Sequence, residues 1–270
     1  MDSQQCKEDI IYRGSRWDFS ASVEEVMTHL HSFVLARKVL YFGVSDTPAL
    51  IIVKANECKA FLTRKNGMTP FSVYQGRWNA AFRDMESENI PMCEDQGMGI
   101  VSWASLGGGQ LTTADQRRKI EQDPEAPKGY GYNEFDVPVS QVIEKLAESK
   151  KATFHQVALA YLLHQSTYVV PIVGVQTVEH VKAIPGALAV KLAENEIKQI
   201  HDAAPFNPLF PNNFLWAERY HTRLTFADQT NIQMATWVNA PPKQPVNQAL
   251  SLNRTSSVAN LCGKTDFQCS

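Results

Sequence analysis

The chain has 270 residues, 44% hydrophobic and 20% charged, with a formal net charge of -2. That balance fits a globular protein with a sizeable core, and near-neutrality argues against an electrostatic partnership with nucleic acid or an anionic membrane. No run reaches the roughly 18 apolar residues of a spanning helix. The polar start Met1–Asp9 is unlike a secretory signal, so a cytoplasmic location is expected.

From residue 22 the pattern alternates between helical and short apolar segments. Ser22 with Glu25 predicts a capping box opening a helix to about Arg37. Val39–Val44 reads as a buried parallel strand, and Pro48 as the first turn of a helix running to Lys65, stopped by Asn66-Gly67. Phe71–Gln75 is the next strand, followed by one helix from Asn79 to Gln96 and a strand at Gly99–Trp103. Residues 107–137, rich in glycine, proline and charge, are expected as an excursion loop.

Helices follow at 139–149 and 154–165, the second capped by Thr153, then a strand at Tyr168–Val173 and helices near 177–184 and 194–203. Strand–helix alternation with short links predicts a parallel α/β sheet. Residues 1–205 form the folded part and 206–270 an extension, expected to be disordered from about 240. The pairs Arg117-Arg118 and Lys150-Lys151 read as solvated surface. The five cysteines are scattered without metal-ligand spacing, and Cys58 and Cys93 read as small, reduced, partly buried residues.

Four runs occur in order: Val44-Ser45-Asp46-Thr47-Pro48, Val73-Tyr74-Gln75-Gly76-Arg77-Trp78-Asn79, Trp103-Ala104-Ser105-Leu106-Gly107-Gly108-Gly109 and Pro171-Ile172-Val173-Gly174. Together they resemble the fungal aryl-alcohol dehydrogenase and norsolorinic acid reductase branch of the aldo-keto reductases, over about residues 18–245. The resemblance implies a TIM (β/α)8 barrel that binds NADP at the C-terminal ends of its strands. It aligns this chain with about the last four to five β/α units, an incomplete barrel lacking the N-terminal part, with Asp9–Tyr12 as a remnant of the fourth strand.

In that branch Ser45, Asp46 and Gln75 fall where the nicotinamide carboxamide is held, and Trp103 where a ring stacks on the nicotinamide. Serine and glutamine supply the donor and acceptor a carboxamide needs. Ser45-Asp46 reads equally as a helix cap, and both roles can coexist. The segment Ala104, Ser105, Leu106, Gly107, Gly108 and Gly109 could cradle the pyrophosphate with backbone N–H groups.

After the last strand the branch carries Gly-Gly-Arg-Lys, whereas this chain reads Gly174-Val175-Gln176-Thr177. His180 sits where phosphate or adenine contacts are made, Lys182 could partly substitute for the lost cations, and Ile184, before Pro185, replaces an adenine-binding Asn. Losing one charge-assisted hydrogen bond of about 1.5–3 kcal/mol predicts weakened NADP binding, less selective over NAD.

The family's chemistry uses a Tyr proton donor, a Lys that lowers its pKa, an Asp that orients the Lys, and a His. The first three come from strands with no counterpart here, and Ser15 falls at the His position, so no catalytic residue is assigned. Tyr130, Tyr132 and nearby Lys128 read as a surface loop rather than a replacement. His29, His31, His155, His164 and His201 lie on helical segments and are expected to be exposed.

The resemblance implies an NADP-dependent oxidoreductase reducing an aromatic or secondary-metabolite carbonyl in fungal secondary metabolism. The alternatives are a cofactor-binding or interaction protein without turnover, and a truncated product with no function. The expected partners are a small-molecule carbonyl and, through the open barrel edge, a second copy of the chain.

Overall fold

A computed structural model describes residues 11–15, 17, 19–66, 68–123, 125, 129–175 and 177–213, the side chains of 11–15 and 58–66 excepted. Four strands, β1 (Ile11–Ser15), β2 (Tyr41–Ser45), β3 (Phe71–Arg77) and β4 (Gly99–Trp103), form one parallel sheet in the order β1-β2-β3-β4. The registers Ser15↔Ser45, Ser45↔Gln75 and Gln75↔Val101 bring the carboxyl ends of the strands together. β2 is buried from Phe42 through Ser45, as expected of a parallel strand covered on both faces. Beyond β4 the chain at Tyr168–Ile172 runs alongside it: Ile100 N donates to Tyr168 O, Val170 N to Ile100 O and Ile172 N to Ser102 O, each at 2.8 Å.

The helices are α1 (Val23–Leu35), α2 (Ala49–Asn66), α3 (Asn89–Asp95), α4 (Ala114–Gln122), α5 (Asp136–Lys150), α6 (Phe154–Gln165), α7 (Val178–Ala183) and α8 (Glu194–Ala203). The starts of α1, α4, α6 and α7 are capped by a serine or threonine side chain. Ser22 Oγ accepts Glu25 N at 3.1 Å, the forward half of the predicted capping box. Thr153 and Gln156 exchange bonds of 3.2 and 2.9 Å in a complete box. Phe42, Ile52, Phe71, Ile100, Val139, Ile143, Val157, Leu162 and Ile200 meet in one core.

Three expectations are corrected. Asn79–Gln96 is not one helix. The Asn79 side chain accepts from Ala81 N and Phe82 N, both 2.9 Å, and this competing turn delays helix formation, leaving a 3-10 turn at Asp84–Glu86 and the short α3. The excursion loop contains α4, whose Thr113–Gln116 capping box satisfies its first turn although no α4 residue is buried. The segment Tyr168–Val173, expected as a strand, forms a single bridge, Ile100↔Val169, and Pro171 has no N–H to continue a ladder; after Ala183 the chain tightens into a 3-10 segment, Ile184–Ala189.

The side chains bring further corrections. Lys150 is half-buried, its Nζ 2.6 Å from Glu196. Cys93 is fully rather than partly buried. His31, His155, His164 and His201 are half-buried and only His29 of the five is exposed. Cys58's side chain and the tail from 214, including the segment beyond 240, lie outside the described residues. Among the described residues no helix is long and apolar enough to cross a membrane.

Candidate functional site

Two sharp turns open the site. The chain leaves β2 at Asp46 and β4 at Ala104, both non-glycine residues in the left-handed region at φ 47° and 52°. Such strain persists only where the surroundings fix it, and it concentrates at functional positions. Asp46 N donates to Gln75 O at 2.9 Å, continuing the β2–β3 ladder through the first turn.

Ser45, Asp46, Gln75 and Trp103 form one hydrogen-bonded cluster. Ser45 Oγ lies 3.1 Å from Asp46 Oδ2 and 3.3 Å from Gln75 Oε1, and Trp103 Nε1 donates to Asp46 Oδ1 at 3.0 Å. Ser45 and Gln75 are buried, Trp103 half-buried and Asp46 exposed. One hydroxyl proton thus stands between two acceptors, so a primary carboxamide, which brings two N–H donors and one acceptor, suits the cluster chemically. Ser45 also closes a turn through its carbonyl, which accepts Thr47 Oγ1 at 2.9 Å. The turn bond uses the Ser45 carbonyl, and the Ser45 hydroxyl stays directed at Asp46 and Gln75.

Tyr74 packs behind the cluster and donates to Thr47 O at 3.3 Å. Burial, then the Asp46 charge, pushes its phenol well above the ordinary value. It is a poorer proton donor than a free tyrosine, not an activated one.

The segment after Trp103 turns inward at Ser105, whose hydroxyl donates to Ser102 O at 2.8 Å. Leu106 packs on the core. Gly107, Gly108 and Gly109 form a 3-10 turn with φ of 72°, 64° and 92°. The returning chain occupies part of this space: Gly108 O accepts Tyr130 N at 3.0 Å, and a Cβ at Gly108 would come within 2.9 Å of the Tyr130 carbonyl. Tyr130's ring stacks on Trp103 with centroids 6.4 Å apart and planes at 23°. Arg77 Nη2 donates to Gly131 O and its guanidinium lies over Phe82 at 4.1 Å. Tyr130 and Tyr132 are exposed, as expected of a surface loop.

Gly174 follows the segment paired to β4 and has open space where a Cβ would be. His180 is exposed in the first turn of α7, its ring edge-on to His155 at 6.1 Å. Lys182 is exposed and Ile184 half-buried. Gln176 and Lys128 lie outside the described residues. Among the described residues no group of three or more His, Cys, Asp or Glu could hold a metal.

The sequence reading missed a buried polar network behind the site. Glu86, wholly buried, accepts Trp78 Nε1 at 3.0 Å and Tyr161 OH at 3.3 Å on one oxygen, and Arg83 Nη2 at 2.7 Å and Nε at 2.9 Å on the other. Arg83 also donates to Ala204 O at 3.0 Å, and His201 meets Tyr161 OH at 3.1 Å. The available signal was an i,i+3 Arg–Glu pair beside an indole; the partners on α6 and after α8 are visible only in three dimensions.

The profile of the Aldo/keto reductase family matches residues 9–205. Norsolorinic acid reductase A of Aspergillus parasiticus is 42% identical over 231 residues, covering 84% of this chain and 57% of that protein. Aryl-alcohol dehydrogenase [NADP(+)] of Phanerodontia chrysosporium is 41% identical over 202 residues, covering 72% of this chain and 51% of that protein. The chain therefore spans little more than half the length of these relatives. Among solved structures, the thermostable aldo-keto reductase Tm1743 matches with a TM-score of 0.53 at 22% identity, covering 72% of this chain and 59% of that one. That likeness concerns the fold alone, a TIM barrel.

Proposed function

This chain belongs to the aldo/keto reductase family, and from that premise we propose that it binds NADP(H) through Ser45, Asp46, Gln75 and Trp103 in a protein that reduces an aromatic or secondary-metabolite carbonyl. The observation that carries this reading is the acceptor-rich cluster at the ends of β2, β3 and β4, with one hydroxyl proton between two acceptors and an indole beside them. When bound, the cofactor supplies the hydride. The chain's own residues hold and orient its carboxamide and exclude water from it. At the adenosine end the exposed His180 and Lys182 are the cationic candidates, and their scarcity supports weak discrimination between NADP and NAD.

In the same proposal the chain contributes about four to five β/α units of the barrel, works in the cytosol, and uses its outer β1 edge to associate with a second copy. Residues 206–270 form an extension. Among the described residues β1 is the end strand of the sheet, an open parallel edge favours such association, and sedimentation at increasing concentration tests it.

One observation favours a second reading, cofactor binding without turnover. The register places Ser15 beside Ser45, at the strand end where the resemblance expects the family's histidine. A serine at that position brings no imidazole, the side chain that titrates near neutrality. Calorimetric titration with NADPH and NADH, followed by NADPH oxidation with an aromatic aldehyde, separates the readings. Binding with turnover supports the reductase, binding without turnover the second reading, and no binding of either nucleotide overturns both.

A further inference from the structure

We infer that Asn79 is a positioning residue for the cofactor cluster: its side chain clamps the left-handed turn at Ala104 and thereby sets where Trp103 and the Ser105–Gly109 segment stand. The inference rests on the proposed cofactor site and adds a residue that never touches the ligand.

Asn79 is buried and uses both ends of its amide. Its Oδ1 accepts Ala81 N and Phe82 N, each at 2.9 Å, fixing its own turn after β3. Its Nδ2 crosses to the next strand end and donates to Ala104 O at 3.0 Å. That carbonyl also accepts Gly107 N at 2.8 Å, while Trp78 N donates to Trp103 O at 3.2 Å.

Ala104 holds φ 52°, a conformation disfavoured for any residue with a Cβ, so external bonds must keep it there. The residue before it carries the indole that reaches Asp46, and the residues after it form the glycine turn. Loss of the Nδ2 donor should let Ala104 relax toward ordinary backbone, swinging the indole off Asp46. The indole of Trp78, one residue from Asn79, is held by Glu86 rather than by the Asn79 amide. It is therefore an internal control for general loosening.

The test is 19F NMR of protein carrying 5-fluorotryptophan, with signals assigned by single Trp→Phe changes, in Asn79→Asp and Asn79→Ser at pH 8. Both variants retain an oxygen for the Ala81 and Phe82 N–H groups, and neither supplies the bond to Ala104. The expected result is a displaced or broadened Trp103 signal with Trp78 unchanged, partly restored when Ala104→Gly is added, because glycine adopts φ 52° without strain. A Trp103 signal that stays in place, or one that moves together with Trp78, would overturn the inference.

In the same variants NADPH affinity should fall about tenfold, the scale of one lost buried hydrogen bond. Unchanged affinity in a variant whose Trp103 signal has moved also overturns it. If the unaltered protein binds no NADPH, the proposed function fails, and the NMR result still decides whether Asn79 holds the turn.

Discussion

Replacing Glu86 with alanine should destabilise the protein by about 3–5 kcal/mol, the range for breaking a buried ion pair and leaving one charge uncompensated. Glu86 has no solvent exposure and Arg83 only 4%. The carboxylate accepts from Arg83 Nε and Nη2, Trp78 Nε1 and Tyr161 OH, so its removal leaves one guanidinium charge uncompensated and takes the acceptor from the Trp78 N–H, while Tyr161 OH keeps His201. For a chain of this size each kcal/mol moves the melting temperature by about 2–4 °C, giving an expected fall of roughly 6–20 °C.

Urea denaturation followed by circular dichroism measures the loss. The double variant Arg83→Met, Glu86→Leu should cost clearly less than the sum of the single changes, because it removes the charge together with its partner. A Glu86→Ala loss below about 1 kcal/mol, or single losses that simply add in the double variant, would refute the account of this network.

Other expectations follow from the same structure. The Cys93 thiol, pushed by burial up to about 12 from 9.0, should resist thiol reagents in the native protein at pH 8 and react on unfolding. Burial also raises Tyr74 and Tyr161. The unfolded state loses these protons first, so stability should fall as pH rises above about 9, with a shallower slope in Cys93→Ala; a flat profile from pH 9 to 11 contradicts this.

His164 is half-buried, with Nδ1 2.7 Å from Ala160 O and Nε2 accepting Leu192 N at 3.3 Å, an arrangement for the neutral ring. Desolvation accordingly lowers its pKa. Its contribution is present above its ordinary pKa of 6.5 and is lost as pH falls through its lower folded value, at up to about 1.4 kcal/mol per pH unit. His164→Gln should flatten that slope in acid denaturation curves. Ser45→Ala should raise the dissociation constant for NADPH about tenfold in a calorimetric titration, and an unchanged constant would remove Ser45 from the site.

Much of the sheet was legible because parallel strands read as apolar runs: β2, β3 and β4 lie within two residues of their expected bounds. α6 began at its expected cap because Thr153 and Gln156 act within one turn of chain. The single helix over 79–96 failed because the Asn79 amide competes with helical bonding at its start, a choice decided by bonds to Ala81, Phe82 and the distant Ala104. α4 was hidden because a helix with no buried face leaves no apolar period.

Among the site residues, Ser45, Asp46, Gln75 and Trp103 were identified by resemblance, and the structure brings them within hydrogen-bonding reach of one another. The Tyr130–Trp103 stack was not legible, since nothing local indicates that residue 130 returns to residue 103. Nor was the half-burial of His155, His164 and His201, which α7, the chain near Leu192 and Tyr161 impose from elsewhere in the sequence.

The most direct test of the central claim is a thermal melt with and without excess NADPH. At a concentration about 100 times the dissociation constant, a ligand that binds only the folded chain adds roughly 2.7 kcal/mol, or about 5–11 °C. One cooperative transition that rises with NADPH, and rises much less in Ser45→Ala, is the expected result. A cooperative transition that NADPH leaves unmoved at millimolar concentration would contradict it.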